Sequence, residues 1–204
     1  MSALSGHTFK KPDLLDLAMA HRSWCAENGG APSNERLEFL GDAVLGWIVA
    51  DLVIRRHPSA TEGQLTDLRK SLVSAEALAD MAREIGLGRF VRLGAGEREA
   101  KGFDKTSILA DTLEAIIGAL YLDAGVARTR LFVRQLVASR AKAASRRLDR
   151  VDARSLTITV CVREFVRPPA VQTTSAGRAH EPSSAASLAV EGETLGRGIG
   201  HPKK

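Results

Sequence analysis

Glu35, Glu38 and Asp42 follow one another at i, i+3 and i+7 in the run NERLEFLGDAVL, and Asp111 and Glu114 repeat the i, i+3 spacing inside KTSILADTLEAIIGALYLD. On a helix these spacings stack the side chains on one face. Like charges so stacked weaken an isolated helix by roughly 0.2–0.5 kcal/mol per pair, so a compensating partner is expected. Asp111 and Glu114 are flanked by Ile108, Leu109, Leu113 and Ile116, which puts them at the rim of an apolar stripe where water is scarce. If the two segments pack together, Glu38, Asp42, Asp111 and Glu114 converge as four hard oxygen donors. With neither histidine nor thiolate, that set suits Mg²⁺ or Mn²⁺ better than zinc or iron. A cation held this way activates water and neutralises charge developing on a phosphate. Spacing alone leaves a second account open, a salt-bridged helix surface. A di-iron bundle would need Glu-x-x-His motifs, and neither segment has one.

Helices must present these carboxylates, and the punctuation for them is present. Pro12 suits a first turn, with Leu14, Leu15 and Ala18 following at helical spacing. ENGGAPS (27–33) reads as a loop, after which Ser33 and Asn34 offer N-caps for a helix from about Glu35 to Arg55. Leu37, Leu40, Val44, Leu45 and Ile48 form its buried stripe, and His57-Pro58 ends it. Thr61 and Gln64 have the spacing of a capping box for the next helix. Ser74 caps another, closed by Gly86 and Gly88. Residues 94–104 lack an apolar period and read as an exposed loop. A second apolar helix runs from Ser107 until Gly125 breaks it, and a basic, Ala-rich helix follows from about Ala127 to Ala144.

Composition narrows the class. The 204 residues suffice for one good-sized domain with room for a small second one, and the scarcity of aromatics (4%) fits a helical chain. The start has no apolar signal-peptide core, and the longest apolar stretch, Ala43 to Ile54, is interrupted by Asp51 and too short to span a bilayer. Cys25 and Cys161 lie far apart with no metal-ligand spacing and read as free thiols. The expectation is a cytoplasmic protein without membrane attachment. Residues 1–125 hold 14 Lys/Arg against 18 Asp/Glu, a net of −4, whereas residues 126–150 hold 8 against 1, a net of +7. Such a basic stretch attracts polyanions, although a solvated helix face would look the same.

The run from Asn34 to Leu45 resembles the signature of ribonuclease III, and the segment from Lys105 to Asp123 resembles that family's second acidic motif. His21-Arg22-Ser23, Glu62-Gly63 and Leu68-Arg69 to Val73 match in the same order, so the resemblance covers roughly residues 10–145. It implies an all-helical, Mg²⁺-dependent, homodimeric endoribonuclease (Mn²⁺ as a substitute) that hydrolyses double-stranded RNA to 5′-phosphate and 3′-hydroxyl ends. Its implied substrates are ribosomal RNA precursors and messenger RNAs. By the same resemblance Glu38, Asp42, Asp111 and Glu114 match metal-binding carboxylates, with Asp42 and Glu114 central to catalysis. Glu35 and Glu62 match acidic positions that assist at the cleavage site, and Phe39 a dimer-contact aromatic. His21 reads as a structural histidine. A non-cleaving RNA-binding or dimerising protein is the alternative, disfavoured because no carboxylate is lost.

The expected organisation is a catalytic domain over residues 1–145 and, over 146–204, a linker with a truncated, degenerate double-stranded-RNA-binding domain. Gly177 to His180 resembles the loop between that domain's first two strands, and Gly192 to Lys204 its third strand running into a pair of lysines. The helix that should follow is missing, so a small, incomplete α/β module is expected. His180, Lys203 and Lys204 are its candidate RNA contacts. Thr157 to Val162 (TITVCV) is β-branched and favours strand over helix.

Overall fold

The structure, a computed structural model, describes residues 7–165, 170–176, 183–190 and 192–200. The chain divides into two compact units, Met1–Ser145 and Arg146–Lys204. The first is helical throughout. Its elements are α1 (Pro12–Ala18), α2 (Arg22–Glu27), α3 (Glu35–Arg56), α4 (Glu62–Val73) and α5 (Ala75–Glu84). A 3₁₀ turn at Leu87–Phe90, the short α6 (Ala95–Glu99), a second 3₁₀ turn at Gly102–Asp104 and the part of α7 (Thr106–Phe165) up to Ser145 complete it. Among the described residues no helix is long and apolar enough to cross a membrane.

The first half of α7 is the spine of the core. Leu113, Ala115, Ile116, Ile117, Ala119 and Leu120 are all buried, so this stretch is apolar on nearly every side, as a central helix must be. Leu45, Ile48 and Val49 of α3 and Leu78 and Met81 of α5 are buried as well. Gly125, at φ 73°, interrupts the helical path of α7 where the sequence expects a break. Helix then resumes and continues to Phe165, past the expected end near Ala144.

Local chemistry fixes several ends. Thr61 and Gln64 form the reciprocal capping box, with Gln64 N–H donating to Thr61 Oγ1 (3.3 Å) and Thr61 N–H to Gln64 Oε1 (2.8 Å). Ser74 Oγ accepts from Ala77 N–H at the start of α5. Gly86 adopts the left-handed conformation after α5, whereas Gly88 lies inside the following 3₁₀ turn. There a Cβ would come within 2.0 Å of the Phe103 carbonyl oxygen.

Three expectations need correction. Asn34 does not cap α3 with its side chain. It is buried, its Nδ2 donates to Ala18 O (3.2 Å) and its N–H to Ala20 O (2.9 Å), while Ser33 Oγ donates to Glu35. Residues 94–104 are not an open loop but the ordered α6 and 3₁₀ pair, whose lack of apolar period reflects short elements stapled by polar bonds. Thr157 to Val162 lies inside α7 rather than in a strand. Strand preference is a weak prior, and extending a helix already formed is cheaper than starting a new element.

The second unit contains the end of α7 and a three-stranded antiparallel sheet in the order β1 (Ala170–Ala176), β2 (Ser183–Val190), β3 (Glu193–Gly200). Thr173 pairs with Ala186, Ser187 with Arg197, and the register shifts between Leu188 and Ala189. Gly192, at φ 87°, serves the tight turn between β2 and β3, as left-handed turn positions require. The whole is mainly α with a small α/β second unit.

Candidate metal centre

Helices α3 and α7 touch backbone to backbone. A Cβ on Gly41 would lie 1.8 Å from the Glu114 carbonyl oxygen, and one on Gly118 would lie 2.3 Å from the Leu37 carbonyl oxygen. Only glycine permits that approach at both positions. The crossing lies within about one turn of Glu38, Asp42, Asp111 and Glu114, and it brings Glu38, Asp111 and Glu114 together. One carboxylate oxygen from each lies within 4.8 Å of the others.

These three side chains are partly buried, and their acidities register it. Glu114 is pushed from 4.5 up to about 8, first by burial and then by the charges of Asp42, Asp111 and Glu38. Burial also raises Glu38, with Asp111, Glu35 and Asp42 adding to it. Asp111 is raised by burial against the opposing pull of His21 and Arg22. Packed, partly buried carboxylates that resist ionising together would be relieved by a cation or by a retained proton. The donors are all carboxylate oxygens, which fits a hard divalent ion.

Asp42 stands one turn beyond Glu38 on α3. It is exposed and outside the tight trio, yet close enough for its charge to raise both Glu38 and Glu114. Glu35 and Glu38 line a cavity of about 410 Å³ together with Asp111, His21, Arg22, Asn34, Glu97 and Lys105. Glu62 does not join them. It opens α4, where its carboxylate accepts from Thr66 Oγ1 (2.8 Å). Phe39 is 81% exposed, on the face of α3 next to the one bearing Glu38. His180, Lys203 and Lys204 lie outside the described residues.

His21 is held as a structural residue. Its Nδ1 accepts from Ser23 N–H (3.2 Å) at the start of α2, and burial lowers its pKa. Its backbone is tied to a parallel bridge, with Arg92 N–H donating to Met19 O and His21 N–H to Arg92 O. Asp123, the third acid of the second motif, is not at the centre. It accepts from the N–H groups of Lys10 and Lys11 and pairs with His7 at 2.6 Å, anchoring the N-terminal segment to α7.

Arg22 and Lys105 fall in segments that carry the resemblance, but the sequence assigned no role to either, nor to Glu97. Glu97 and Lys105 form an ion pair that holds the Glu97 pKa down.

A family profile described as Ribonuclease-III-like matches residues 11–140. Ribonuclease 3 of Thermobifida fusca is 46% identical over 193 residues, which is 95% of this chain and 80% of that protein. Ribonuclease 3 of Streptomyces coelicolor is 44% identical, over 94% of this chain and 69% of the relative. Among solved structures, the nuclease domain of Campylobacter jejuni ribonuclease III superposes with a TM-score of 0.63 at 36% identity, covering 68% of this chain and 92% of that domain. Dicer from Pichia stipitis aligns over 95% of this chain and 87% of its own, with a TM-score of 0.55 at 25% identity. Fold and carboxylate cluster are together those of a metal-dependent endoribonuclease acting on double-stranded RNA. The chain belongs to the ribonuclease III family.

Proposed function

We propose that Glu38, Asp42, Asp111 and Glu114 hold Mg²⁺, with Mn²⁺ able to replace it, and that this centre hydrolyses one strand of an RNA duplex. The observation that carries the reading is the trio of partly buried carboxylates with oxygens within 4.8 Å of one another. The ion, when bound, supplies Lewis acidity toward the phosphate and lowers the pKa of water. Glu114, pushed up to about 8, is protonated at neutral pH and gives up that proton when a cation takes its place. Asp42, on the exposed side and close enough for its charge to act on Glu38 and Glu114, completes the set. Glu35, in the same cavity, orders substrate or solvent. Glu62 neither joins the trio nor lines the cavity, so its assistance goes to substrate rather than to the ion.

The products carry 5′-phosphate and 3′-hydroxyl ends. The chain works as a homodimer that covers Phe39, with Trp47 and Ile54 also exposed on α3. It acts in the cytoplasm on ribosomal RNA precursors and structured messenger RNAs. Residues 1–145 are the catalytic domain and 146–204 a linker with a reduced RNA-binding module, to which His180, Lys203 and Lys204 contribute.

The test is cleavage of a long RNA duplex by the purified chain at low salt with Mg²⁺, beside EDTA and Glu114→Gln controls. Short duplex products that vanish in both controls are expected. Binding without cutting would establish the non-cleaving alternative instead.

A further inference from the structure

The cavity that holds Glu38 and Asp111 extends away from the carboxylate trio toward the start of α7, where its lining includes Arg22, Lys105 and Ser107. Its volume, about 410 Å³, is within the range of sites that take a group the size of a nucleotide. Four carboxylates line it, Glu35, Glu38, Glu97 and Asp111, and Arg22 and Lys105 are its permanent cations. A polyanion entering this space is repelled by the acids unless the ion offsets one end and these two side chains the other.

The wall that carries Lys105 is unusually constrained. Gly94 N–H donates to Ser23 Oγ (3.0 Å) and Ala95 N–H to the Glu27 carboxylate (2.9 Å), fastening α6 to α2. Gly102 is buried against Glu97, whose carbonyl oxygen would lie 2.8 Å from a Cβ at that position. Lys101 adopts a left-handed backbone (φ 56°) without being glycine, a strained conformation that the surrounding contacts must hold. Turn and glycine together bring Lys105 onto Glu97, where the two side chains pair. Lys105 immediately precedes the first residue of α7, so its charge adds to the positive end of that helix.

We propose that Lys105, with Arg22 beside it, binds the non-bridging oxygens of a backbone phosphate next to the scissile one, and that Glu97 keeps Lys105 in position before RNA arrives. This rests on the carboxylate trio being the cutting centre. Lys105 is then a substrate-binding residue that sets the register of the strand relative to the ion.

Steady-state cleavage of a duplex RNA by the full chain and by Lys105→Met, across a salt series in Mg²⁺, tests it. Lys105→Met is expected to raise KM about tenfold at low salt with a smaller change in kcat. The slope of log KM against log salt should fall by about one, the loss of one phosphate contact. Lys105→Arg should restore both. An unchanged KM and slope, or a fall in kcat alone, would overturn the proposal while leaving the cutting centre intact. A wild-type chain that does not cleave at all would overturn the cutting centre itself. If Lys105→Met lowers Tm, Lys105→Gln gives the same slope readout with the side-chain length nearly kept.

Discussion

Gly41 lies so close to the carbonyl oxygen of Glu114 that a methyl group on it would sit 1.8 Å from that atom. The backbone of one member of the carboxylate trio is thus the floor on which the opposite helix rests. Gly118 repeats the relationship in reverse against Leu37. Two glycines therefore set the separation of α3 and α7, and with it the distance between the carboxylates that each helix contributes.

Gly41→Ala should separate the helices and lower both stability and cleavage. Overpacking a tight contact costs about 1–3 kcal/mol, and here the neighbour is the Glu114 backbone, which cannot swing aside. Urea denaturation and kcat should fall together for Gly41→Ala and for Gly118→Ala. Gly46→Ala, a helix position with open space around it, should be neutral or mildly stabilising.

Stability without metal should decline as pH rises. Glu114 has a pKa of about 8 in the folded chain against 4.5 ordinarily, so between those values the folded state binds the extra proton. Its contribution is full below 4.5 and is lost as pH climbs toward 8. In EDTA, Tm should drop from pH 5 to pH 8.5, and Glu114→Gln should flatten that slope. Mg²⁺ should raise Tm more at pH 8 than at pH 5. A Tm insensitive to pH in EDTA would show that the trio is not packed as described.

Asn34→Ala should cost about 1–3 kcal/mol, because it strips the Ala18 carbonyl of its buried partner and leaves a void beneath the start of α3. Chemical denaturation reads this directly. Ser33→Ala, which removes only an exposed hydrogen bond to Glu35, should change stability by a few tenths of a kcal/mol, roughly.

Phe39→Ser should leave the single chain folded and shift it toward monomer. At 81% exposed, the ring contributes almost nothing to the core of its own subunit. Sedimentation velocity over a concentration series measures the shift. Unchanged association would place the subunit contact elsewhere.

The long helices and their carboxylates were legible in the sequence because apolar period and charge spacing are local properties. Leu37 to Ile48 and Ile108 to Leu120 announced their own buried faces. What fixes the site is not local. Gly41 and Gly118 look like mildly unfavourable helix residues until the helices are seen to cross at them. Asn34 reads as a cap from its place before Glu35, but its side chain serves the backbone of Ala18, sixteen residues earlier. Glu97 and Lys105 belong to a stretch without period, since short elements tied by polar bonds leave no stripe. Asp42 matched the motif in sequence and stands just outside the trio, one turn beyond Glu38 and exposed.

Helix α3 presents Glu38 and Asp42 on one side and Phe39 on the adjoining side. A rigid rod with two working faces cannot move at one without moving at the other. A second copy covering Phe39, as proposed, would rest on the same helix that carries Glu38, and any coupling between ion and subunit would change both affinities by the same factor.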